Sequence, residues 1–167
     1  MTPRADLTMG PLSDEDHAFY GLVWAGTTLA AQVGRELVRA HDLPLSWFEV
    51  MLWLAGRQEP VGATELGAKT MLSRSQVSRV VDALEVRGLV VRTSSDTDAR
   101  SVLIELTERG RAAFAEANET RRKVLAPVFT EVLDEAELAA LVTVWRKLKA
   151  HRADGGHGPA EGGEVAE

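Results

Sequence analysis

Residues 63–106 read ATELGAKTMLSRSQVSRVVDALEVRGLVVRTSSDTDARSVLIEL, and the order of local signals along this stretch decides the fold. Ala63 to Lys69 reads as a short helix, followed by a tight turn near Met71-Leu72. Ser73 and Gln76 then form an S-x-x-Q capping box, in which each side chain satisfies the other residue's free backbone N–H. The box predicts a helix running to about Arg87. Val77, Val80, Val81 and Leu84 recur at helical spacing and make its apolar stripe. Arg74, Ser75, Gln76, Ser78, Arg79 and Asp82 fall largely outside that stripe, and Gly88 is well placed as the stop. Leu89 to Thr93 is β-branched and reads as a strand. Ser94 to Ala99 is a polar loop. Arg100 to Leu106 alternates Val102, Ile104 and Leu106 against Ser101, Leu103 and Glu105, which predicts the return strand of a hairpin.

Upstream, Asp14 to His41 reads as a long helix with Phe19, Val23, Gly26, Ala30, Val33 and Leu37 in one seam, stopped by Leu43-Pro44-Leu45. Ser46 and Glu49 suggest a second capping box, with Phe48, Met51, Leu52 and Ala55 on the inner side of a helix to about Arg57. Glu59 to Gly62 reads as a turn. Downstream, Thr107 caps a helix with Gly110 early in it, bent or interrupted at Pro127 near its end at Thr130. Asp134 and Glu137 mark a last helix to about Ala150, with Leu138, Leu141, Val142, Trp145 and Leu148 on one face.

The expected fold is therefore mainly α with a small β-hairpin wing: a winged helix-turn-helix plus a helical dimerisation platform. The expected layout is a flexible segment over 1–13, dimerisation helices over 14–45 and 107–150, a winged helix-turn-helix lobe over 46–106, and a disordered Gly- and Glu-rich tail over 151–167.

Charge decides what such a lobe can bind. The formal net charge is −6. Residues 1–16 set Arg4 against Asp6, Asp14, Glu15 and Asp16, and residues 151–167 set Arg152 against Asp154, Glu161, Glu164 and Glu167. The span between is neutral. Within it, Lys69, Arg74, Arg79, Arg87 and Arg92 face only Asp82 and Glu85, a local basic patch of the kind that binds phosphates. With no Cys, the chain has no disulfide and no thiolate metal site. His17, His41, His151 and His157 have no ligand-type partner at helical spacing, so neither metal nor cofactor is expected. No glycine-rich phosphate loop or nucleophile elbow suggests an enzyme. No apolar run is long enough for a membrane span and no basic-then-apolar leader is present, so a cytoplasmic location is expected.

At this level the chain resembles the multiple-antibiotic-resistance regulator (MarR) family. The resemblance is carried by Glu65-Leu66-Gly67, by Ser75-Gln76-Val77-Ser78-Arg79-Val80-Val81, and by Leu84-Glu85-Val86-Arg87-Gly88-Leu89-Val90-Val91-Arg92. Asp98-Ala99-Arg100 and Leu106-Thr107-Glu108-Arg109-Gly110 complete it. It implies a homodimer built from the first and last helices, on a pseudo-palindromic double-stranded DNA operator. The helix after Ser73 would lie in the major groove and the wing near the minor groove. It also implies a repressor released by a small, often aromatic effector. Ala99 stands where the family's wing carries the first of two basic residues, which reduces the wing's expected hold on phosphate.

The expected DNA-contacting residues are Lys69, Arg74, Ser75, Gln76, Ser78, Arg79, Asp98 and Arg100. Gln76 suits adenine N6 and N7, while Arg79 or Arg74 suits guanine O6 and N7. Ser75 and Ser78 are short donors for phosphate or a base edge. Arg100 suits a narrow minor groove, held by Asp98. Trp24, Trp47, Phe48 and Trp53 are candidate ligand-lining residues, against the plainer reading that they are core or interface aromatics. The competing class is a dimeric protein-interaction module that has lost DNA binding. The polar face from Arg74 to Arg79 together with Arg100 argues against it.

Overall fold

Ser13 opens the first helix, α1 (Asp14–His41). Its hydroxyl accepts from the Asp16 N–H, and the Asp16 carboxylate accepts from the Ser13 N–H. Asp14, Glu15 and Asp16 place negative charge at the positive end of the helix dipole. The helix stops where Asp42 turns left-handed (φ 50°, ψ 39°) and the Leu43 N–H reaches back to the Leu37 carbonyl. Of the expected seam only Val33 and Leu37 are buried, while Phe19 and Val23 are exposed. The C-terminal part of α1 thus anchors in the core, and its earlier turns present apolar side chains outward. The computed structural model describes residues 13–57, 59–70, 72–94 and 102–154.

The second helix, α2 (Leu45–Ala55), begins without the expected Ser46–Glu49 box. Pro44 is the N-cap, its carbonyl accepting from the Trp47 and Phe48 N–H groups, and no side chain caps the end. Starting the helix at Leu45 carries Ser46 inside the first turn, away from the cap position. The buried side is Phe48, Val50, Met51 and Leu54, and Leu52 is exposed. A helix apolar nearly all round offers no single stripe to read.

Val61–Gly62 forms a short strand, β1, where a turn was expected. After α3 (Ala63–Lys69) and α4 (Arg74–Val86) come β2 (Val90–Ser94) and β3 (Val102–Leu106). The sheet is three-stranded, in the order β1-β3-β2 and antiparallel throughout. Val61 faces Ile104 across one edge, and Val90 faces Leu106 across the other. Two residues are too few to show alternation, which is why β1 was not legible. Ile104 and Leu106 are buried, whereas Val102 is exposed.

Gly88 takes a positive φ of 67°, and the Leu89 and Gly88 N–H groups return to the Leu84 and Glu85 carbonyls at 2.9 and 2.8 Å. This is a Schellman stop, and it turns the chain from α4 into β2. The next helix, α5 (Glu108–Leu125), is tied to that stop. The Thr107 N–H donates to the Leu89 carbonyl, and its hydroxyl donates to the Gly88 carbonyl while accepting from the Gly110 N–H. Phe114 of α5 stacks on Phe48 with ring centroids 5.5 Å apart. Phe48, Leu37, Met51, Leu66, Leu84, Ile104 and Leu106 are the largest side chains sealed in the core.

The first compact unit ends at Leu125, and a second begins at Ala126. In the second, a 3-10 turn (Ala126–Val128) contains Pro127. Asp134 and Glu137 cap each other's N–H groups at 2.8 and 2.9 Å ahead of α6 (Glu135–Asp154). Leu141, Val142, Trp145 and Leu148 of α6 are exposed. The helix continues past the expected Ala150 to Asp154. The tail expected over 151–167 lies outside the described residues from 155 onward, as does most of the expected 1–13 segment.

A Cβ at Gly110 would overlap the Leu89 carbonyl oxygen, whereas one at Gly67 in α3 meets nothing within 4 Å. Gly110→Ala should therefore lower unfolding stability by about 3 kcal/mol. Gly67→Ala should raise it by up to about 1 kcal/mol. Urea denaturation followed by far-ultraviolet circular dichroism checks both signs.

Candidate nucleic-acid interface

The helix pair α3–α4 is built to expose one polar side. Val77, Val80, Val81 and Leu84 hold α4 against the core, which turns Arg74, Ser75, Gln76, Ser78 and Arg79 outward, all exposed. Lys69 stands exposed at the C-terminal end of α3. Among the described residues, Lys69, Arg74 and Arg79 have no ion-pair partner. Their charge is free to meet phosphate or a base edge.

The other two cations of the expected patch are not free. Arg92 on β2 is hydrogen-bonded to Asp82 and Glu85 of α4. Burial disfavours its charge, but its hydrogen bonds to Asp82 and Glu85 outweigh that and hold its pKa above the ordinary arginine value. Arg87 donates to the Asp42 backbone carbonyl at 2.8 Å and the Asp42 carboxylate at 2.6 Å, and lies over the Trp47 ring at 4.7 Å. The Arg92 clamp was missed from sequence, although acids three residues apart on α4 facing a strand arginine were its signal. It neutralises the two carboxylates of the α4 surface and pins the wing strand to that helix.

The Ser73–Gln76 box is formed. The Ser73 N–H donates to Gln76 Oε1 at 2.8 Å and the Gln76 N–H donates to Ser73 Oγ at 3.3 Å. Gln76 therefore has its carbonyl engaged and its NH2 available. Ser75 Oγ lies 3.1 Å from Ser73 Oγ, within hydrogen-bond reach. Asp98 and Arg100 lie outside the described residues.

The four ligand-lining candidates have different surroundings. Trp24 is 58% exposed on α1, and Phe48 is 1% exposed in the core. Trp47 lies beneath Arg87. Trp53 lines a cavity of about 390 Å³ with Leu52, Gly56, Arg57 and Lys69. Elsewhere, burial raises the Glu49 carboxyl pKa, and burial beside Arg122 lowers that of Arg121, whose guanidinium sits 5.9 Å from the Phe48 ring. No group of three or more His, Cys, Asp or Glu among the described residues is placed to hold a metal ion. No helix among them is long and apolar enough to cross a membrane.

A short helix, a capped polar-faced helix and a three-stranded antiparallel sheet, flanked by long helices, define a winged helix-turn-helix protein. Residues 41–101 match the MarR family model. The HTH-type transcriptional regulator YpoP of Bacillus subtilis is 30% identical over 122 residues, covering 72% of this chain and 86% of that one. The crystal structure of CouR from Rhodococcus jostii RHA1 bound to p-coumaroyl-CoA is similar with a TM-score of 0.73 at 25% identity, covering 81% of this chain and 93% of that one. The repressor CouR bound to a 23-mer DNA duplex is similar with a TM-score of 0.68 at 27% identity, covering 83% and 99%. The chain belongs to the MarR family of transcriptional regulators.

Ser73→Ala removes the acceptor for the Gln76 N–H at the first turn of α4. It should cost about 1 kcal/mol of stability. Hydrogen exchange should show faster exchange confined to the Gln76 and Val77 amides.

Proposed function

We propose that this regulator is a sequence-specific DNA-binding homodimer that acts as a repressor and leaves its operator when a small ligand binds. Lys69, Arg74 and Arg79, without counter-charges on the exposed side of α3 and α4, carry this reading. Phosphate neutralisation by unpaired cations supplies affinity, and arginine recognition of guanine supplies selection. Arg79 or Arg74 reads guanine in the major groove. Lys69, Ser75 and Ser78 hold phosphate. Gln76 reads adenine. Arg100, steadied by Asp98, enters the neighbouring minor groove. The DNA-bound repressor CouR supports this use of the shared fold, and the p-coumaroyl-CoA complex of CouR supports ligand-controlled release.

The homodimer is supported by apolar surface that a second copy would bury. Phe19, Leu22, Val23 and Trp24 on α1 are 45–61% exposed. Leu141, Val142, Trp145 and Leu148 on α6 are 41–59% exposed. Two copies make two half-sites, so the operator is expected to be a pseudo-palindrome with centres about 34 Å apart.

The test is fluorescence anisotropy against DNA selected from a random library, titrated across a salt series. Arg79→Ala and Arg100→Ala should each weaken specific binding by about tenfold or more. Both should sediment as dimers. Unchanged affinity in both variants removes the assigned contacts. Trp24→Glu should sediment as a monomer and lose specific binding, and a dimeric Trp24→Glu variant would remove α1 from the interface.

A further inference from the structure

Arg87 sits where three helices end or begin. Its guanidinium donates to the Asp42 backbone carbonyl at 2.8 Å and to the Asp42 carboxylate at 2.6 Å, and lies 4.7 Å from the centre of the Trp47 ring. Asp42 caps the end of α1, Trp47 belongs to the first turn of α2, and Arg87 caps the end of α4. Elsewhere α1 rests chiefly on α2 and α5, while α4 rests on α2, α3 and β2. The two bonds to Asp42 therefore join α1 to α4 directly.

Asp42 is the only non-glycine residue with positive φ among the described residues. The left-handed stop itself needs no carboxylate, because backbone closes it. The Asp42 N–H returns to the Val38 carbonyl and the Leu43 N–H to the Leu37 carbonyl. Glycine makes such a stop with less strain than other residues. What aspartate adds is its bond to Arg87. That bond adds little stability, since the Asp42 and Arg87 side chains are 82% and 37% exposed and water screens the pair. Nor does it help DNA by charge, since an exposed carboxylate repels phosphate. Its effect is on direction. The 13 residues of α4 make about 20 Å of helix, with Arg87 at one end and Arg74, Gln76 and Arg79 in the half toward the other. Over that length a tilt of about 3° moves the far end by about 1 Å. A hydrogen bond to a base edge tolerates about half that displacement.

We infer that Asp42 is a positioning residue for DNA recognition. Through Arg87 it fixes the tilt of α4, and so the aim of Arg74, Gln76 and Arg79, a role that rests on the assignment of α4 to the operator. The carboxylate contributes selectivity, not stability or attraction.

The experiment uses the full chain and compares DNA selected from a random library with random duplex. Fluorescence anisotropy at one salt concentration reads both affinities, beside urea denaturation. Asp42→Gly should keep its urea midpoint at or above the parent's. It should bind random DNA at least as tightly, because one negative charge is gone. Its specific affinity should nevertheless fall, lowering the ratio of specific to random binding by about threefold to thirtyfold. In an Arg87→Gln background, Asp42→Gly should lower the ratio no further, since both changes break the same link. Partial unfolding lowers both affinities alike and leaves the ratio where it was. An unchanged or raised ratio in Asp42→Gly overturns the positioning role, as does a further fall of the same size in the double variant. A parent that prefers no sequence overturns the sequence-specific reading. A parent that selects DNA while Asp42→Gly keeps its ratio overturns the positioning role alone.

Discussion

The carbonyl of Leu89 is the point on which the lobe turns. It accepts from the Thr107 N–H, and Gly110 packs so closely against it that no side chain fits between. One residue earlier, the Gly88 carbonyl accepts the Thr107 hydroxyl at 2.7 Å. Three elements leave this joint: α4 ends there, β2 starts there, and α5 starts from the far side. The Schellman stop requires Gly88 at positive φ, and the close approach requires Gly110. Because α5 also packs on α1 and on Phe48, the joint fixes the polar side of α4 relative to the long helices. Displacing it by the width of one methyl group would move the exposed side of α4.

Charge is distributed on the same logic. A chain of net charge −6 presents a cationic surface only by deciding which arginines are spent internally. Arg92 absorbs Asp82 and Glu85, the two carboxylates that would otherwise repel phosphate from α4. Arg87 is held by Asp42 at the other end of that helix. What remains unpaired among the described residues of the α3–α4 surface is Lys69 at the end of α3, and Arg74 and Arg79 in the N-terminal half of α4, where its dipole also favours an anion. Counting five basic residues in sequence overstated the patch, because pairing between a strand and a helix seven to ten residues away is a three-dimensional fact.

Most of the fold was legible because its signals are local. The Ser73–Gln76 box, the Gly88 stop, the Thr107 cap and the Val77-Val80-Val81-Leu84 stripe each depend on residues within a turn or two. The long α1 was bounded by its own periodicity, from Asp14 to His41. The failures are equally physical. Ser46-x-x-Glu49 has a capping pattern, but Pro44 takes the N-cap and starts the helix ahead of it. β1 exists only because β3 offers it a partner. The Asp42–Arg87 bond follows no sequence pattern at all, since the ends of α1 and α4 meet there only after folding.

Under the proposed function Gln76 would carry both a structural and a reading role, and the two constrain one another. In the free protein its Oε1 accepts from the Ser73 N–H, which completes the cap of α4. Adenine recognition through N6 and N7 needs both the carbonyl and the NH2 of the same amide. Where turning the amide toward adenine breaks the bond from the Ser73 N–H, the cap is weakened by up to about 1 kcal/mol. A matched bidentate contact returns about 1–3 kcal/mol, while a mismatched base returns little. The cap is thus given up only for the right base, which repays it. In the proposed complex a residue that begins in a satisfied internal bond would discriminate by difference rather than by affinity, whereas unpaired Arg74 and Arg79 would begin with nothing to give up and would supply the attraction.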